Sequence, residues 1–431
     1  MLLISLGTAG DVHPFVGLGV ALRERGHDVT LMVNSYFEPL ARRHGLGFLP
    51  LGTVEDYFRI IENPDLWRPV RGPQLLARLV FESIAPQYEA IAGRCGSGNT
   101  VMIASGAAFA ARIAHEVLGI PLITLILQPA TLRSVYRPSV IAGFPSILTR
   151  LPSFVHHLLL RVLDVVTDRA LFASRINAFR AQFGLSPVKR LMKDWWLSPK
   201  LGVCLFPDWY GMPQPDWPAR VVMTGFPLFD ESTPGELLPD NVRNVLSGGE
   251  APIVFTPGSG MVHGRAFFTT AIQACQRLGR KGILLTRYHR QLPVKLPDGV
   301  IHAEYVPFSR LLPKAAALVH HGGVGTTAQA LAAGVPQLIM PMTFDQPDNA
   351  DRVKRLGVGD WLRPRAFRPV NVAQCLQRLI DSAEVAARCH ELADRIKGVK
   401  SLAKVCDLIE QAADQPARTP RVQPAAHVKK E

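Results

Sequence analysis

The sequence lacks any cysteine pattern that would bind a metal or form a disulfide framework. Its 431 residues include six cysteines, which lie far apart, without a Cys-x-x-Cys pair and without His/Cys clusters at zinc spacing. This scatter favours reduced, mostly buried thiols in a cytoplasmic protein. The cysteines are Cys95, Cys204, Cys275, Cys375, Cys389 and Cys406.

Long apolar runs and several catalytic motifs are missing as well. No stretch of 18 or more apolar residues occurs, so we expect no membrane-spanning helix, and the short apolar segment 1–7 has no basic region of the kind that begins a signal peptide. Neither His-Glu-x-x-His nor Gly-x-Ser-x-Gly occurs, which leaves zinc hydrolysis and serine-hydrolase chemistry without a signature. Peripheral contact with the inner face of the cell membrane remains open.

The composition that is present is typical of a compact globular protein of two or three domains. Hydrophobic residues make up 48% of the chain and charged residues 19%. The net charge of +13 favours an anionic partner, but it does not choose among a nucleotide, an acidic lipid surface and a nucleic acid.

Short apolar runs alternate with helical patterns twice along the chain. This alternation predicts an α/β protein with two doubly wound, Rossmann-like domains that face each other across a cleft, where ligands bind beyond the carboxyl ends of the strands. We predict a first domain at 1–228, a linker at 229–250, a second domain at 251–413 and a disordered tail at 414–431. The expected strands are Leu2–Leu6, Val29–Val33, Val101–Ala104, Leu122–Leu127, Val203–Phe206, Ile253–Thr256, Gly282–Thr286, Leu318–His320 and Gln337–Pro341.

The strongest motif is a glycine-rich turn between a strand and a helix, His320-His-Gly-Gly-Val-Gly-Thr326. Its glycines let the backbone approach a ligand, and the N–H groups at the helix start favour a phosphate. A histidine at this point can add a hydrogen bond to a diphosphate, and we expect one of His320 and His321 to be structural. A tight turn without a ligand is the alternative.

Another turn follows the next strand, where Asp345 and Gln346 begin a helix. Adjacent Asp and Gln side chains suit the recognition of two neighbouring sugar hydroxyls, although Asp at a helix start is often only a cap. Asp345, Asp348 and Asp351 recur every three residues, which we interpret as a solvated helix face rather than a metal site.

Two further strand-to-helix turns complete the expected cleft. Gly258 and Ser259 follow the first strand of the second domain and are placed to meet phosphate. Asp11 follows the first strand of the chain, in a turn that lacks both the third glycine of a dinucleotide fingerprint and the Walker lysine. A carboxylate there can take a proton from a hydroxyl nucleophile. A helix cap is the alternative for Asp11, and His13 is the rival base.

An apolar helical pattern in the first domain stands apart from these turns. Leu151, Phe154 and Leu158 begin a series at helical spacing that continues to Val166, with arginines nearby. A helix packed on its own domain, an apolar wall for a lipid-like ligand and a surface helix that touches a membrane all fit this pattern.

Together these segments resemble the nucleotide-sugar glycosyltransferases of the GT-B fold. The run 321–349 resembles their C-terminal donor-binding signature, His-x-Gly-x-x-Ser/Thr, then Gly-Val-Pro, then Asp-Gln-x-x-Asn. The N-terminal Gly-x-x-Gly-Asp-Val-x-Pro is similar to the bacterial and sterol-type branch, and the stretch Met223–Asp230 resembles the rhamnosyltransferases of rhamnolipid synthesis. The resemblance covers nearly the whole chain, to about Leu408.

The resemblance implies a role for each of these residues. The first domain would bind the acceptor, with Leu151, Phe154 and Leu158 as its apolar wall, and Asp11 would be the catalytic base. The second domain would bind the donor. Its implied donor-binding residues are Gly258 and Ser259 beside the phosphates, His320 or His321, Gly323, Gly325 and Thr326 at the diphosphate, Tyr305 and Val306 at the base, and Asp345 and Gln346 at the sugar hydroxyls.

Three departures from the plant members of this group stand out. Gln329 replaces a ribose-binding Glu, and Tyr305 replaces the Trp that stacks on the base. The plant members also orient their catalytic histidine with a second acid, where this chain has Ser105 nearby. Asp11 would therefore act without an acidic partner.

The function that the resemblance implies is inverting, metal-independent transfer of a hexosyl group, with rhamnosyl favoured. The donor would be a dTDP- or UDP-sugar, and the acceptor a hydroxyl of a lipid-like molecule such as a hydroxyalkanoyloxy-alkanoate. A UDP-glucose-dependent transferase acting on a sterol or polyketide and a GT-B nucleotide-sugar epimerase are the alternatives. A non-enzymatic binding module remains open if Asp11 is only a cap. We expect no metal, no cofactor and no nucleic-acid partner.

Overall fold

The computed structural model describes residues 1–94, 100–143, 151–166, 173–231 and 237–413. Within them the chain forms two parallel β-sheets with helices between the strands, which confirms the predicted pair of Rossmann-like domains. The predicted tail and residues 232–236 of the predicted linker lie outside the described residues.

The first sheet has the order β3-β2-β1-β4-β5-β6-β7, with every pairing parallel. The order reverses between β1 and β4, so a crevice opens at the carboxyl ends of these two strands. The strands are β1 (Leu2–Ile4), β2 (Thr30–Val33), β3 (Gly47–Pro50), β4 (Met102–Ser105), β5 (Leu122–Ile126), β6 (Leu201–Cys204) and β7 (Val221–Met223).

The second sheet has the order β10-β9-β8-β11-β12-β13, again all parallel. Its reversal lies between β8 and β11, the two strands that lead into the predicted phosphate turns. The strands are β8 (Ile253–Thr256), β9 (Gly282–Leu285), β10 (Val300–Ala303), β11 (Ala317–His320), β12 (Gln337–Ile339) and β13 (Gly359–Trp361).

Helices cover both faces of the two sheets. The apolar strands are buried between them, since β2, β5, β8, β9 and β11 are buried along their whole length. The helices are α1 (Ala9–Glu24), α2 (Glu38–Arg43), α3 (Val54–Ile61), α4 (Arg71–Glu82), α5 (Ile84–Arg94), α6 (Phe109–Leu118), α7 (Ser153–Val166), α8 (Ala173–Ala181), α9 (Asp240–Leu246), α10 (Arg265–Leu278), α11 (Phe308–Leu311), α12 (Val324–Ala333), α13 (Gln346–Arg355), α14 (Pro369–Asp381), α15 (Ala383–Lys397) and α16 (Ser401–Ala413).

The last helix of the described residues, α16, packs on the first domain. Val405, Cys406 and Ile409 of α16 are buried in the same cluster as Leu3 and Phe15. The predicted boundary at 413 assigns this helix to the second domain, whereas its apolar face is covered by α1. The physical reason is that an amphipathic helix at the end of a chain packs on whichever apolar surface it can reach, and sequence pattern alone does not name that surface.

The apolar helix α7 lies on the surface. The side chains of Phe154 and Leu158 are 74% and 63% exposed, while Leu151 is half-buried. His156 attaches α7 to the rest of the first domain. Its side chain is buried, and its Nδ1 lies 3.2 Å from the carbonyl oxygen of Val135, at hydrogen-bond distance. Most of the apolar face therefore remains exposed, contrary to the interpretation of α7 as a helix packed on its own domain.

Two other expectations concern cysteines and membranes. The five cysteines in the described part of the chain are buried and unpaired, as predicted; Cys95 lies outside it. No helix among the described residues is long and apolar enough to cross a membrane.

Candidate active site in the cleft

Asp11 lies in the first turn of α1, directly after β1. The backbone N–H of Thr8 donates a 2.9 Å hydrogen bond to Asp11 Oδ2, so the carboxylate also caps the helix. Gly7 has φ +127°, and a Cβ there would collide with this carboxylate. Burial raises the pKa of Asp11 to about 6, against the opposing effect of the Thr8 hydrogen bonds. The base and the cap that the sequence offers as alternatives are thus compatible.

His13, the rival base, is turned toward the linker. Its Nε2 lies 3.3 Å from Glu231 Oε1, and the guanidinium groups of Arg43 and Arg287 also lie 3.3 Å from the Glu231 carboxylate. Because Arg287 belongs to the second domain, this cluster joins both domains and the linker. No sequence pattern predicts this cluster, because its members are far apart along the chain.

The start of α12 faces α1 across the cleft. Gly323 is the N-cap residue of α12. Gly325 lies near Gly10 of α1, because a Cβ on Gly325 would be 3.9 Å from the Gly10 carbonyl oxygen. The first turns of α1 and α12, the second of which contains Thr326, therefore lie close together, and each has backbone N–H groups without intrahelical partners. Two helix N-termini at one point make a region that favours an anion such as a diphosphate.

The two neighbouring histidines have different environments. His320 is fully buried; its Nε2 pairs with Gln337 Oε1 at 3.0 Å, and its Nδ1 accepts a 3.1 Å hydrogen bond from the N–H of Gly322. The Nδ1 of His321 is buried without a protein partner. Burial lowers the pKa of His320 to about 3 and that of His321 to about 4, so both rings are neutral at pH 7. These contacts favour His320 as the structural residue and His321 as the ligand-facing one.

Gly258 lies against the His321 ring. It has φ +98°, and a Cβ there would lie 2.7 Å from His321 Cε1. Glycine is required for both reasons. The neighbouring Ser259 is exposed, and its carbonyl oxygen accepts a 3.3 Å hydrogen bond from the Tyr288 hydroxyl. The turns after β8 and β11 thus meet at Gly258 and His321.

Asp345 lies at the N-cap position of α13, after Phe344, whose φ of +57° is unusual for a residue other than glycine. Burial raises the pKa of Asp345 to about 7, and the charge of Asp11 across the cleft adds to this. Its neighbour Gln346 is buried, and its side-chain oxygen accepts hydrogen bonds from the N–H groups of Met342 and Thr343 at 2.9 and 3.3 Å. These two contacts use the side-chain oxygen of Gln346 and not its amide nitrogen.

Tyr305 and Val306 lie beside the linker. The Tyr305 hydroxyl accepts a 2.8 Å hydrogen bond from the N–H of Glu231, and the Arg287 guanidinium is 5.7 Å from the centre of its ring. Val306 is buried in the core of the second domain. Gln329, at the position of the ribose-binding acid of plant enzymes, instead donates a 3.2 Å hydrogen bond to the carbonyl oxygen of Phe229 in the linker.

The residues missed by the sequence analysis are Tyr210 and Asn349. The Tyr210 hydroxyl donates to Asn349 Oδ1 at 2.8 Å, and Asn349 Nδ2 donates to Asp345 Oδ2 at 2.6 Å. Asn349 belongs to the Asp-Gln-x-x-Asn signature, so a local signal existed for it, but none existed for Tyr210. No group of three or more His, Cys, Asp or Glu side chains in the described ranges is arranged to hold a metal ion.

Two family models match the chain, one in each domain. Residues 1–137 match the N-terminal domain of glycosyltransferase family 28, and residues 280–410 match the C-terminal domain described as erythromycin biosynthesis protein CIII-like. The chain is 28% identical over 437 residues to the O-mycaminosyltylonolide 6-deoxyallosyltransferase of Streptomyces fradiae, covering 96% of this chain and 97% of that protein.

Solved structures show the same fold. The glycotransferase of kitacinnamycin superposes with a TM-score of 0.71 at 19% identity, covering 96% of this chain and 98% of that one. The spinosyn rhamnosyltransferase SpnG, complexed with thymidine diphosphate, superposes with a TM-score of 0.67 at 16% identity, covering 95% and 99%. The two family models, in their order along the chain, identify it as a glycosyltransferase, and the solved structures show that it has the GT-B fold.

Proposed function

We propose that the enzyme transfers a 6-deoxyhexosyl group, with rhamnosyl favoured, from a thymidine-diphosphate sugar to a hydroxyl of a large apolar acceptor. The transfer is a single inverting displacement that uses no metal and no cofactor. The observation that carries this proposal is the position of Asp11, with its raised pKa, opposite the start of α12 and His321. The thymidine preference is supported by relatives solved with thymidine diphosphate and by the deoxysugar named in the first relative above.

In this mechanism Asp11 takes the proton of the acceptor hydroxyl as its oxygen attacks the anomeric carbon. The bond between that carbon and the diphosphate oxygen breaks, and the electron pair leaves with the nucleoside diphosphate. The N–H groups at the start of α12 and the neutral ring of His321 donate hydrogen bonds to the leaving diphosphate. Attack from the side opposite the leaving group inverts the anomeric configuration.

The raised pKa of Asp11 makes it a better base than an exposed carboxylate. A base whose pKa lies near the working pH is still largely deprotonated and has the highest proton affinity compatible with that state. General base catalysis supplies a rate increase of roughly 10²–10⁴-fold. The remaining acceleration comes from holding the two substrates together and stabilising the diphosphate.

Two classes of acceptor are favoured by different observations. The named relatives favour a polyketide aglycone. The exposed apolar face of α7 favours a hydroxyalkanoyloxy-alkanoate, because α7 adjoins the sugar end of the cleft. His156 anchors it to Val135, and the N–H of Val140, in the same loop, donates a 3.1 Å hydrogen bond to Asp348 Oδ1 in the second domain. The same face would permit the enzyme to contact a membrane.

The first experiment is a thermal-shift comparison of dTDP, dTDP-rhamnose, UDP and UDP-glucose. A ligand at 100 times its Kd adds about 2.7 kcal/mol of stability. Stabilisation by the thymidine ligands alone supports the proposal, and stabilisation by UDP-glucose alone overturns the donor assignment. Release of nucleoside diphosphate is then measured with a macrolide aglycone, a hydroxydecanoyl-hydroxydecanoate and a sterol. If none of these three acceptors increases the release of nucleoside diphosphate, the acceptor assignment is refuted. Conversion of the donor sugar without an acceptor would indicate an epimerase.

A further inference from the structure

Tyr210 reaches from the first domain into the donor side of the cleft. It follows β6, is only 3% exposed, and packs edge-on against Phe226 with ring centres 5.1 Å apart. Its hydroxyl donates a 2.8 Å hydrogen bond to Asn349 Oδ1, between side chains that are both buried. Burial raises the pKa of Tyr210, so the phenol remains protonated and acts as the donor.

Asn349 connects Tyr210 to Asp345 through a second hydrogen bond. Its Nδ2 donates to Asp345 Oδ2 at 2.6 Å and to the carbonyl oxygen of Gly322 at 2.8 Å. Both N–H bonds of the amide are therefore used, one at each of the turns after β11 and β12. Because the phenol requires an acceptor, Asn349 Oδ1 must face Tyr210, and its amide nitrogen is then directed at the Asp345 carboxylate.

A second connection holds Tyr210 against the same helix. The guanidinium of Arg352 donates a 2.7 Å hydrogen bond to the carbonyl oxygen of Tyr210 and pairs with Asp348 at 2.7 Å. The loop after β6 is thus bound to α13 through both backbone and side chain. These contacts cross from one domain to the other, so the hydrogen-bonded chain is complete only when the domains are together.

We propose that Tyr210 is a positioning residue that, through Asn349, fixes the Asp345 carboxylate toward the donor sugar when the cleft closes. This inference rests on the proposed function, in which Asp345 binds sugar hydroxyls. A chain of buried hydrogen bonds is cooperative, so losing the phenol weakens the amide's hold on the carboxylate as well. Donor recognition is thereby linked to closure by a residue that touches neither substrate.

The test compares wild type, Tyr210→Phe and Asp345→Asn for binding of dTDP, dTDP-rhamnose, UDP and UDP-glucose by calorimetry. Tyr210→Phe keeps the ring and its packing. We expect this variant to bind the nucleotide-sugar with the preferred base about tenfold more weakly than wild type. Its affinity for the matching nucleoside diphosphate should be unchanged, because that ligand lacks the sugar that Asp345 contacts. Equal loss for both ligands would show a merely structural role and overturn the inference.

A double variant and a matched control complete the design. Adding Tyr210→Phe to Asp345→Asn should weaken nucleotide-sugar binding no further, because both changes break one chain of contacts; full additivity contradicts the inference. Tyr88→Phe removes the hydroxyl of another buried tyrosine of the first domain, whose ring packs against Phe179 and Phe183, and should change neither affinity. If Asp345→Asn itself leaves nucleotide-sugar binding intact, or if wild type binds none of the four ligands, the proposed function fails. If only Tyr210→Phe has no effect, the positioning role alone fails.

Discussion

Replacing Asp11 with Asn should strongly lower turnover and at the same time stabilise the protein at neutral pH. The amide oxygen of Asn can still accept the hydrogen bond from the Thr8 N–H, so the start of α1 remains capped. The amide cannot take a proton from an acceptor hydroxyl. The expected loss in kcat is roughly 10²–10⁴-fold, with the affinity for donor largely retained.

The gain in stability follows from the pKa of Asp11, which burial raises from 3.8 to about 6. Below pH 3.8 the carboxyl is protonated in both the folded and the unfolded chain, and its ionisation costs nothing. As the pH rises from 3.8 through 6, the unfolded chain releases this proton more readily, so the folded state loses stability. At about 1.36 kcal/mol per pKa unit the full cost above pH 6 approaches 3 kcal/mol, and Asp11→Asn should recover roughly 1–3 kcal/mol of it.

Urea denaturation of wild type and variant at pH 4 and pH 7.5 measures this difference, alongside steady-state kinetics. Asp56→Asn is a matched control, because Asp56 occupies the same position in the first turn of α3 and accepts a 3.0 Å hydrogen bond from the Thr53 N–H. That hydrogen bond lowers the pKa of Asp56, so this variant should lose stability at pH 7.5 and keep its activity. An Asp11→Asn enzyme that retains more than about a tenth of wild-type kcat would refute the base assignment, and one that is inactive but not stabilised at pH 7.5 would refute the burial argument.

Three further predictions concern the donor turns and the acceptor helix. His321→Ala should weaken nucleoside-diphosphate binding about tenfold in calorimetry with little change in stability. His320→Ala should instead lower the free energy of unfolding by about 2–4 kcal/mol, because it leaves a cavity and leaves Gln337 and the Gly322 N–H unpaired. The reverse pattern would exchange the two roles. Gly258→Ala should raise the KM for donor, since its φ of +98° is strained for alanine and its Cβ would push against His321; an unchanged KM would show that this turn does not meet the donor. Phe154→Ser combined with Leu158→Ser should raise the KM for the apolar acceptor while donor hydrolysis without acceptor stays constant, and a change in hydrolysis alone would contradict an acceptor role for α7.

The interior of both sheets could be predicted from the sequence, whereas their edges could not. All the predicted apolar runs overlap strands of the structure. Among the described residues, four strands have no prediction: β3, β7, β10 and β13, which are the outer strands of the two sheets. An edge strand is covered on fewer sides, so its residues are less completely buried; β3 is exposed at both ends, and β7 and β13 are only half-buried.

In the candidate site, the local motifs could be predicted from the sequence, whereas the contacts between distant residues could not. The glycine-rich turns and their polar residues could be predicted because each depends on a few neighbouring residues at the end of one strand. The contact between Tyr210 and Asn349 joins residues 139 apart, and the ion cluster at Glu231 joins four separate segments. No periodicity or spacing encodes such pairs. The hydrogen bonds that Gln346 accepts from the preceding loop could not be predicted for the same reason, because they depend on the path of that loop.

The measurement that tests the account most directly is the anomeric configuration of the glycoside formed from dTDP-rhamnose in the presence of EDTA. The acceptor is whichever of the macrolide aglycone and the hydroxydecanoyl-hydroxydecanoate supports nucleoside-diphosphate release. A single displacement with Asp11 opposite the diphosphate predicts an inverted anomer by NMR, the same rate with and without EDTA, and almost no product from Asp11→Asn. A retained anomer, or turnover that EDTA abolishes, would contradict the central claim.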